Sequence, residues 1–397
     1  MREFRPSTQT DIRHFCLAIL WLCTAILTAC AGSPTATITP TCTPESAWGG
    51  VITLANAGLT APPALAVHAN FMSLAYVTSD QTGARQVMRR WIDGHLTDPV
   101  TLTLPPIQPR DQLTFPALDN NVFVVWIDLD EVTHVPAVFS ALVTPTTEIL
   151  RGPLRLSAEN EQVYDLSAAL MSDGSLWVAW SGATSNEPAV WLRKIDNEGR
   201  PALPIRFASD ALHPALIRLP DDTLLLLYEE GEGENVVRAR IADGVLLESA
   251  RITARVSRTP GTLIESVYGA ADSTHGYLFW NLTRDDGHRE TWFSTGELDA
   301  ANWSAPALFE PPYQWVRPLA ENRTYVQLAA VDSTGSGDQI GVASMAAGEF
   351  VGFEPVTRCT PVIDPPALFS NGGQLILAWS QPHTAAPADL QMTIQPN

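Results

Sequence analysis

From Trp48 to Asn397 the chain alternates short apolar runs with polar turns, and the alternation itself repeats about every fifty residues. Each unit opens on a small apolar triplet: Pro63-Ala64-Leu65, Pro116-Ala117-Leu118, Ala168-Ala169-Leu170, Pro214-Ala215-Leu216, Gly261-Thr262-Leu263, Arg317-Pro318-Leu319 and Pro366-Ala367-Leu368. Some ten residues later comes an apolar run ending in an aromatic, at Tyr76, Trp126, Trp180, Tyr228, Trp280 and Trp379, while unit six carries Ala329 to Val331 instead. Successive spacings are 50, 54, 48 and 52, then 99 across unit six. Tryptophans that recur at the repeat period inside apolar runs belong in a core, so Trp126, Trp180, Trp280 and Trp379 are assigned there.

Unit three shows the internal order. LSAALMS, Asp173-Gly174, SLWVAWS, a polar loop, AVWLRKID, Asn197 to Gly199 and PIRFAS follow one another. Glycine supplies the positive φ that such hairpin turns demand, so the unit reads as four short antiparallel strands. That is the signature of a β-propeller blade. Residues 48–397 number 350, which seven such units use completely. The last unit stops one strand short, and Val51-Ile52-Thr53-Leu54 resembles the missing outer strand. The expected fold is all-β, a seven-bladed propeller of four-stranded antiparallel blades closed by an N-terminal strand, which leaves no unpaired seam.

The segment 1–47 has a different character. Arg2, Arg5 and Arg13 precede an apolar run from Phe15 to Leu27, thirteen residues that are too few to span a hydrocarbon core of ~30 Å. The run ends in Leu27-Thr28-Ala29-Cys30, which resembles the lipobox of bacterial lipoproteins. The resemblance implies a signal peptide over 1–29, lipidation at Cys30, and attachment to a membrane facing outside the cytoplasm; a plain secretory peptide or an uncleaved anchor are the alternatives. Residues 30–47 follow as a Thr/Pro-rich tether, and 48–397 as the propeller. Cys16 and Cys23 leave with the signal, so Cys42 and Cys359 remain, as a disulfide outside the cytoplasm or as two free thiols.

With 24 basic against 43 acidic residues, a net charge of −19 and Lys194 as the sole lysine, no basic stripe exists to neutralise phosphates. Nucleic acid is excluded as a partner, and a monomer is expected. There is no CxxC for zinc and no GxSxG, HExxH, P-loop or GxGxxG. No cofactor is expected; Asp128, Asp130 and Glu131 offer carboxylates for Ca²⁺, but the spacing lacks the EF-hand glycine and distal Glu.

A second resemblance lies in unit five. Glu290-Thr291-Trp292-Phe293-Ser294, followed by Leu298-Asp299-Ala300-Ala301-Asn302-Trp303-Ser304-Ala305-Pro306, resembles the strand and Asp-box turn of sialidase-like (BNR-repeat) propellers. Ala and Asn302 stand where that family has Gly and Thr, and its arginine triad, Tyr/Glu pair, acid Asp and early Arg-Ile-Pro segment are not recognisable. The resemblance implies the architecture and a glycoside hydrolase as one reading; the other is a non-catalytic binding module for a glycan, peptide or protein. No catalytic residue is assigned.

Propeller ligands bind where the blade-to-blade connections and the loops between second and third strands line the channel mouth. The connections supply Arg110, Tyr164, Asp165, His213, Arg258, Trp315, Arg317 and Asp364 as candidate ligand-binding residues. The second loops supply Asp128, Asp130, Glu131 and His134; Glu229, Glu230, Glu232 and Glu234; and Arg284 to Glu290. Aromatics beside carboxylates and arginines suit sugars, whose apolar faces stack and whose hydroxyls take charge-assisted hydrogen bonds. Arginines clustered with a tyrosine and two carboxylates would favour the hydrolase.

Overall fold

The computed structural model describes residues 43–44, 48–54, 62–68, 71–80, 83–92, 95–102, 110–184, 187–231, 235–252, 262–300, 302–310, 313–319, 324–333, 338–358, 365–371, 374–381 and 388–395. Among them the only helix is the short 3₁₀ turn Leu118–Asn120. The rest of the regular structure is seven antiparallel sheets arranged in a ring, a β-propeller. Blade one runs from its inner strand Ala64–Val67 through Met72–Asp80 and Gly83–Ile92 to His95–Leu96, with Val100–Thr101 also on the third strand. Blade two comprises Asp111–Pro116, Val122–Leu129, Pro136–Val143 and Ile149–Arg155, and blade three Gln162–Leu170, Leu176–Thr184, Glu187–Ile195 and Ile205–Ser209. Blade four comprises Ala211–Arg218, Leu224–Glu230, Asn235–Ala242 and Val245–Ile252, and blade five Thr262–Ala271, His275–Arg284, Arg289–Glu297 and Ala307–Leu308. Blade six is Tyr313–Pro318, Val326–Asp332, Gln339–Ala346 and Glu349–Arg358, and blade seven Ala367–Asn371, Gln374–Gln381 and Asp389–Ile394.

The core lies between blades, not within one. Seven clusters of buried apolar side chains each join two successive blades, and the seventh joins blade seven to blade one through Ile376, Met392, Leu65 and Leu74. A second strand is therefore covered on both faces, which is why Leu176–Thr184 is buried at every position but its last. The outer strands face solvent: the first five residues of Val245–Ile252 are all exposed. Trp126, Trp180, Trp280 and Trp379 are at most 2% exposed, as core residues. Where blade six has Ala329 and Val331 in place of the aromatic, Trp48 and Trp315 fill the interface with blade seven. Gly174 (φ 78°) and Gly199 (φ 81°) hold the left-handed position of three-residue hairpin loops, closed by Gly174 N–H on Met171 O and Gly199 N–H on Asp196 O.

The N-terminal strand completes blade seven, Ile52 opposite Met392 and Leu54 opposite Leu390. Trp48, 5% exposed, enters the interface of blades six and seven and donates its indole N–H to Glu354 Oε1 at 2.9 Å. Gly49 is tied to the final strand from both sides, its N–H on Ile394 O at 2.9 Å and its carbonyl accepting Thr393 Oγ1 at 2.8 Å. Of the tether, Thr43–Pro44 is described, and it adds a short antiparallel ladder to the outer strand of blade six with Thr43 opposite Arg358 and Pro44 opposite Thr357. One expectation needs correcting: the triplet of unit five is out of step. Leu263 is 66% exposed at the start of a ten-residue inner strand, and the small buried pair Ala270 and Ala271 occupies the anchor position instead.

Two outcomes follow from the closure. Trp48→Ala removes a buried indole from the seam and lowers stability by about 3–5 kcal/mol in a denaturant titration, whereas Trp48→Phe, which keeps most of the apolar volume, loses about 1 kcal/mol with the Glu354 hydrogen bond. Cys42 and Cys359 lie outside the described residues, but in sequence each stands one step beyond the pair Thr43 and Arg358. Peptide mapping without reductant is expected to find them linked; two freely alkylated thiols in protein harvested under oxidising conditions would refute the bridge.

Candidate functional site

The inner strands converge on a cavity of about 450 Å³ whose wall takes residues from all seven blades. Pro62, Asp111, Asp165, His213, Glu265, Trp315 and Pro365 represent blades one to seven in order. These residues point inward because of a repeated irregularity. The ladder between first and second strands slips at Val163/Asp165, Leu212/Ala215, Ile264/Ser266 and Gln314/Arg317, in blades three to six. A β-bulge leaves an extra residue on one strand and re-aims its side chain. Here the extra residues include Tyr164, His213, Glu265 and Trp315, all on the cavity wall. His213 (φ 52°) and Trp315 (φ 50°) adopt left-handed backbone without being glycine, a conformation that persists only where surrounding contacts over-determine it.

Those contacts are polar and mutual. Asp165 Oδ2 accepts Ser181 Oγ at 2.6 Å and lies 3.2 Å from His213 Nδ1. On its far side His213 Nε2 is 3.9 Å from Glu229 Oε2, and Glu229 in turn accepts Trp280 Nε1 at 3.0 Å. In blades five and six Glu265 accepts Thr283 Oγ1 at 2.6 Å and Trp315 Nε1 at 2.9 Å, with Arg289 Nε 3.6 Å away. The Arg289 guanidinium also lies over the Trp315 ring at 4.1 Å. Arg317 sits just behind the wall, 8% exposed and 5.8 Å over the Tyr268 ring; its Nη1 has no hydrogen-bond partner among the described residues. Arg110, by contrast, is exposed at the mouth and makes no ion pair among the described residues.

These surroundings drive two neighbouring carboxyls apart. Burial pushes Asp111 up to about 6, even though Arg317 and the Gln112 N–H at 2.8 Å favour its charged form, and Asp165 opposes ionisation further. Burial would also raise Asp165, but the charge of His213 and hydrogen bonds from His213 and Ser181 outweigh it and hold that carboxyl below the usual range. The Tyr268 hydroxyl is raised, first by burial.

Of the sequence candidates, Arg110, Tyr164, Asp165, His213 and Trp315 line the cavity and Arg317 backs it; Arg258, Asp364, Cys30, Cys42 and Cys359 lie outside the described residues. Arg289, from a second loop, joins the wall, and Glu229 supports His213. The other described second-loop carboxylates do not line it: Asp130 accepts Val132 and Thr133 N–H and pairs with Arg155 at 2.8 Å, and Glu232 and Glu234 lie outside the described residues. Among the described residues no group of three or more His, Cys, Asp and Glu is placed to hold a metal ion. Sequence reading missed Asp111, Glu265 and Tyr268. A signal for two of them exists: Asp111, Asp165, His213, Glu265 and Asp364 each precede the aromatic of their own unit by 15 residues.

No family model and no curated protein matches the chain. Solved structures do. Polysaccharide lyase Uly1 superposes with a TM-score of 0.61 at 8% identity, over 88% of this chain and 99% of its own. A protein of unknown function from Dyadobacter fermentans gives 0.49 at 9% identity, over 71% and 92% respectively. Trypanosoma rangeli sialidase gives 0.44 at 8% identity, over 90% of this chain and 60% of its own. At such identities the likeness to the lyase is one of fold. The site must speak for itself.

The Asp111 shift has a measurable consequence. The unfolded carboxyl titrates near 3.8 and the folded one near 6, so between these values the folded state keeps a proton that the unfolded state has lost, and stability falls as pH rises. Asp111→Asn removes that loss. The variant is expected to match the parent below about pH 4 and to exceed it above pH 6. Such a shift is worth at most about 3 kcal/mol, reduced to roughly 1–2 kcal/mol by solvent reaching the cavity. Denaturant midpoints at pH 4, 5, 6 and 7.5 check it.

Proposed function

We propose that the chain is a lipoprotein anchored through Cys30 outside the cytoplasm, whose propeller holds an acidic carbohydrate in the channel cavity without cleaving it. One observation supports the site above all others. At the position 15 residues before each blade aromatic, four units place a titratable side chain on the cavity wall, Asp111, Asp165, His213 and Glu265, and a fifth carries Asp364. The strands behind that position are largely apolar. Titratable groups set repeatedly at the innermost point of an apolar scaffold carry a desolvation penalty that packing does not require, so a ligand is the reason for them.

The uncommitted groups indicate its chemistry. Asp165 and Glu265 are taken up by His213, Ser181, Thr283 and Trp315. Among the described residues the groups left open are the guanidiniums of Arg110 and Arg317, the Asp111 carboxyl and the half-exposed Tyr164 ring. Two cations against one acid, with an aromatic face at the mouth, fit a sugar bearing a carboxylate, and about 450 Å³ holds one or two rings. The chain as a whole is strongly acidic, so attraction of such a ligand is local to the cavity and operates within a Debye length of ~8–10 Å.

A glycoside hydrolase is the second reading. The opposite displacement of Asp111 and Asp165 favours it, because that is how one carboxyl becomes an acid while its neighbour stays ionised. The clustering of Arg110 and Arg289 with Tyr164, Tyr268, Asp111 and Asp165 points the same way. Against it, hydrolysis needs two working carboxyls, and on the described wall both oxygens of Glu265 are engaged while Asp165 Oδ2 is taken up by Ser181 and His213.

A glycan array probed with the tagged protein, followed by incubation of each hit, separates the readings: carboxylate-bearing glycans are expected to bind without product release. Arg317→Met is expected to weaken the best hit at least about tenfold, ~1.4 kcal/mol. Exclusive binding of neutral sugars would refute the acidic class, and released product would install the hydrolase. For the anchor, Cys30→Ser is expected to abolish labelling by a fatty-acid analogue; undiminished labelling would show that the lipid is elsewhere.

A further inference from the structure

Among the described residues, Asp111 differs from the other carboxyls on the cavity wall, Asp165 and Glu265, in having no side-chain hydrogen-bond partner. Among the described residues its one hydrogen bond is local, from the N–H of Gln112 to Oδ1 at 2.8 Å, and none reaches Oδ2. What surrounds it acts through space. Arg110 immediately precedes its strand; Asp165 and Tyr164 face the cavity from blade three, His213 from blade four, Glu265, Tyr268 and Arg289 from blade five, and Arg317 stands behind in blade six. From the neighbouring strand of its own blade Ile127 lines the wall, and blades one and seven contribute Pro62 and Pro365, none of which titrates. Of these neighbours Arg317 alone acts strongly to keep the carboxyl charged, while burial and Asp165 oppose it.

A second acid placed in this cavity tips the balance. The carboxylate of a bound sugar would be drawn to Arg110 and Arg317, and both lie beside Asp111 in sequence or through space. Two carboxylates sharing one desolvated site cannot both stay ionised, and one takes a proton. Since Asp111 already titrates at about 6, it requires the smaller further shift of the two.

Resting on the acidic-carbohydrate reading above, we infer that Asp111 selects the ligand by binding it as a carboxylic acid. One proton passes from the buffer to Oδ2, and the resulting O–H is donated to a carboxylate oxygen of the sugar. No covalent bond changes. The pocket thus recognises an acidic sugar as a shared-proton pair flanked by guanidiniums, and affinity is coupled to pH through a single group.

The experiment is calorimetric titration of the full chain in detergent with trigalacturonate and 3′-sialyllactose, using maltotriose as the uncharged control. Each is run at pH 5, 6, 7 and 7.5 in buffers of different ionisation enthalpy. For an acidic probe that binds, close to one proton is expected to be taken up per ligand at pH 7, with affinity falling about thirtyfold from pH 5 to 7.5 by linkage. Asp111→Asn, whose fold is checked by its melting curve, carries a permanent uncharged donor and is expected to bind with no proton uptake and no pH slope. Uptake near zero in the parent, or an unchanged slope in Asp111→Asn, overturns the role of Asp111 while leaving the acidic-sugar site standing. Failure of both acidic probes at every pH overturns that site and this inference with it.

Discussion

The structure depends on one constraint: a blade cannot bury its own faces. Each four-stranded sheet presents two apolar sides, and among the described residues every major cluster of buried side chains straddles two neighbouring blades. A row of such sheets would leave one raw face at each end. Bending the row into a ring removes both, provided that the last blade meets the first. Here the meeting is made by three residues of ladder, Ile52–Leu54, and by the indole of Trp48 wedged into the adjacent interface. The strand Ile52–Leu54 and the final strand Asp389–Ile394 therefore share one sheet, and contacts between residues more than 340 positions apart, such as Thr393 to Gly49, hold the ring closed.

The cavity is a by-product of that closure. Seven inner strands cannot all touch at the axis, and the gap they leave is where backbone regularity can be given up most cheaply. Four of the seven inner strands do give it up, through bulges that turn Tyr164, His213, Glu265 and Trp315 inward. The left-handed backbone at His213 and Trp315 is then held by the side chains it displays, through Asp165 and Glu229 on one side and Glu265 on the other. Site and scaffold are in this sense one network.

Much of the fold was legible because its signals are local and repeated. Short apolar runs bounded by polar turns, glycines at 174 and 199 where φ must be positive, and an aromatic about every fifty residues all follow from nearest-neighbour physics. The closing strand was legible too, since a missing fourth strand at one terminus and a spare one at the other leave little choice. Unit five failed because its inner strand is ten residues long, so a triplet chosen for its composition fell at the cavity mouth instead of the buried end. The same slippage hid Glu265 and Tyr268. A bulge is invisible to composition, and only counting back from the next strand, which is regular, restores the register. Asp111 was overlooked beside Arg110 because a lone carboxylate in a loop looks like any solvated one; its burial belongs to the assembled ring.

The constant interval between wall residue and core aromatic has a further meaning. In five units that address carries Asp111, Asp165, His213, Glu265 or Asp364 while an aromatic stays behind it. Two neighbouring pairs are bonded across blades, Asp165 with His213 and Glu265 with Trp315. Ligand choice in a ring of this kind can therefore be rewritten without touching the core, in steps of one blade or of a bonded pair of blades.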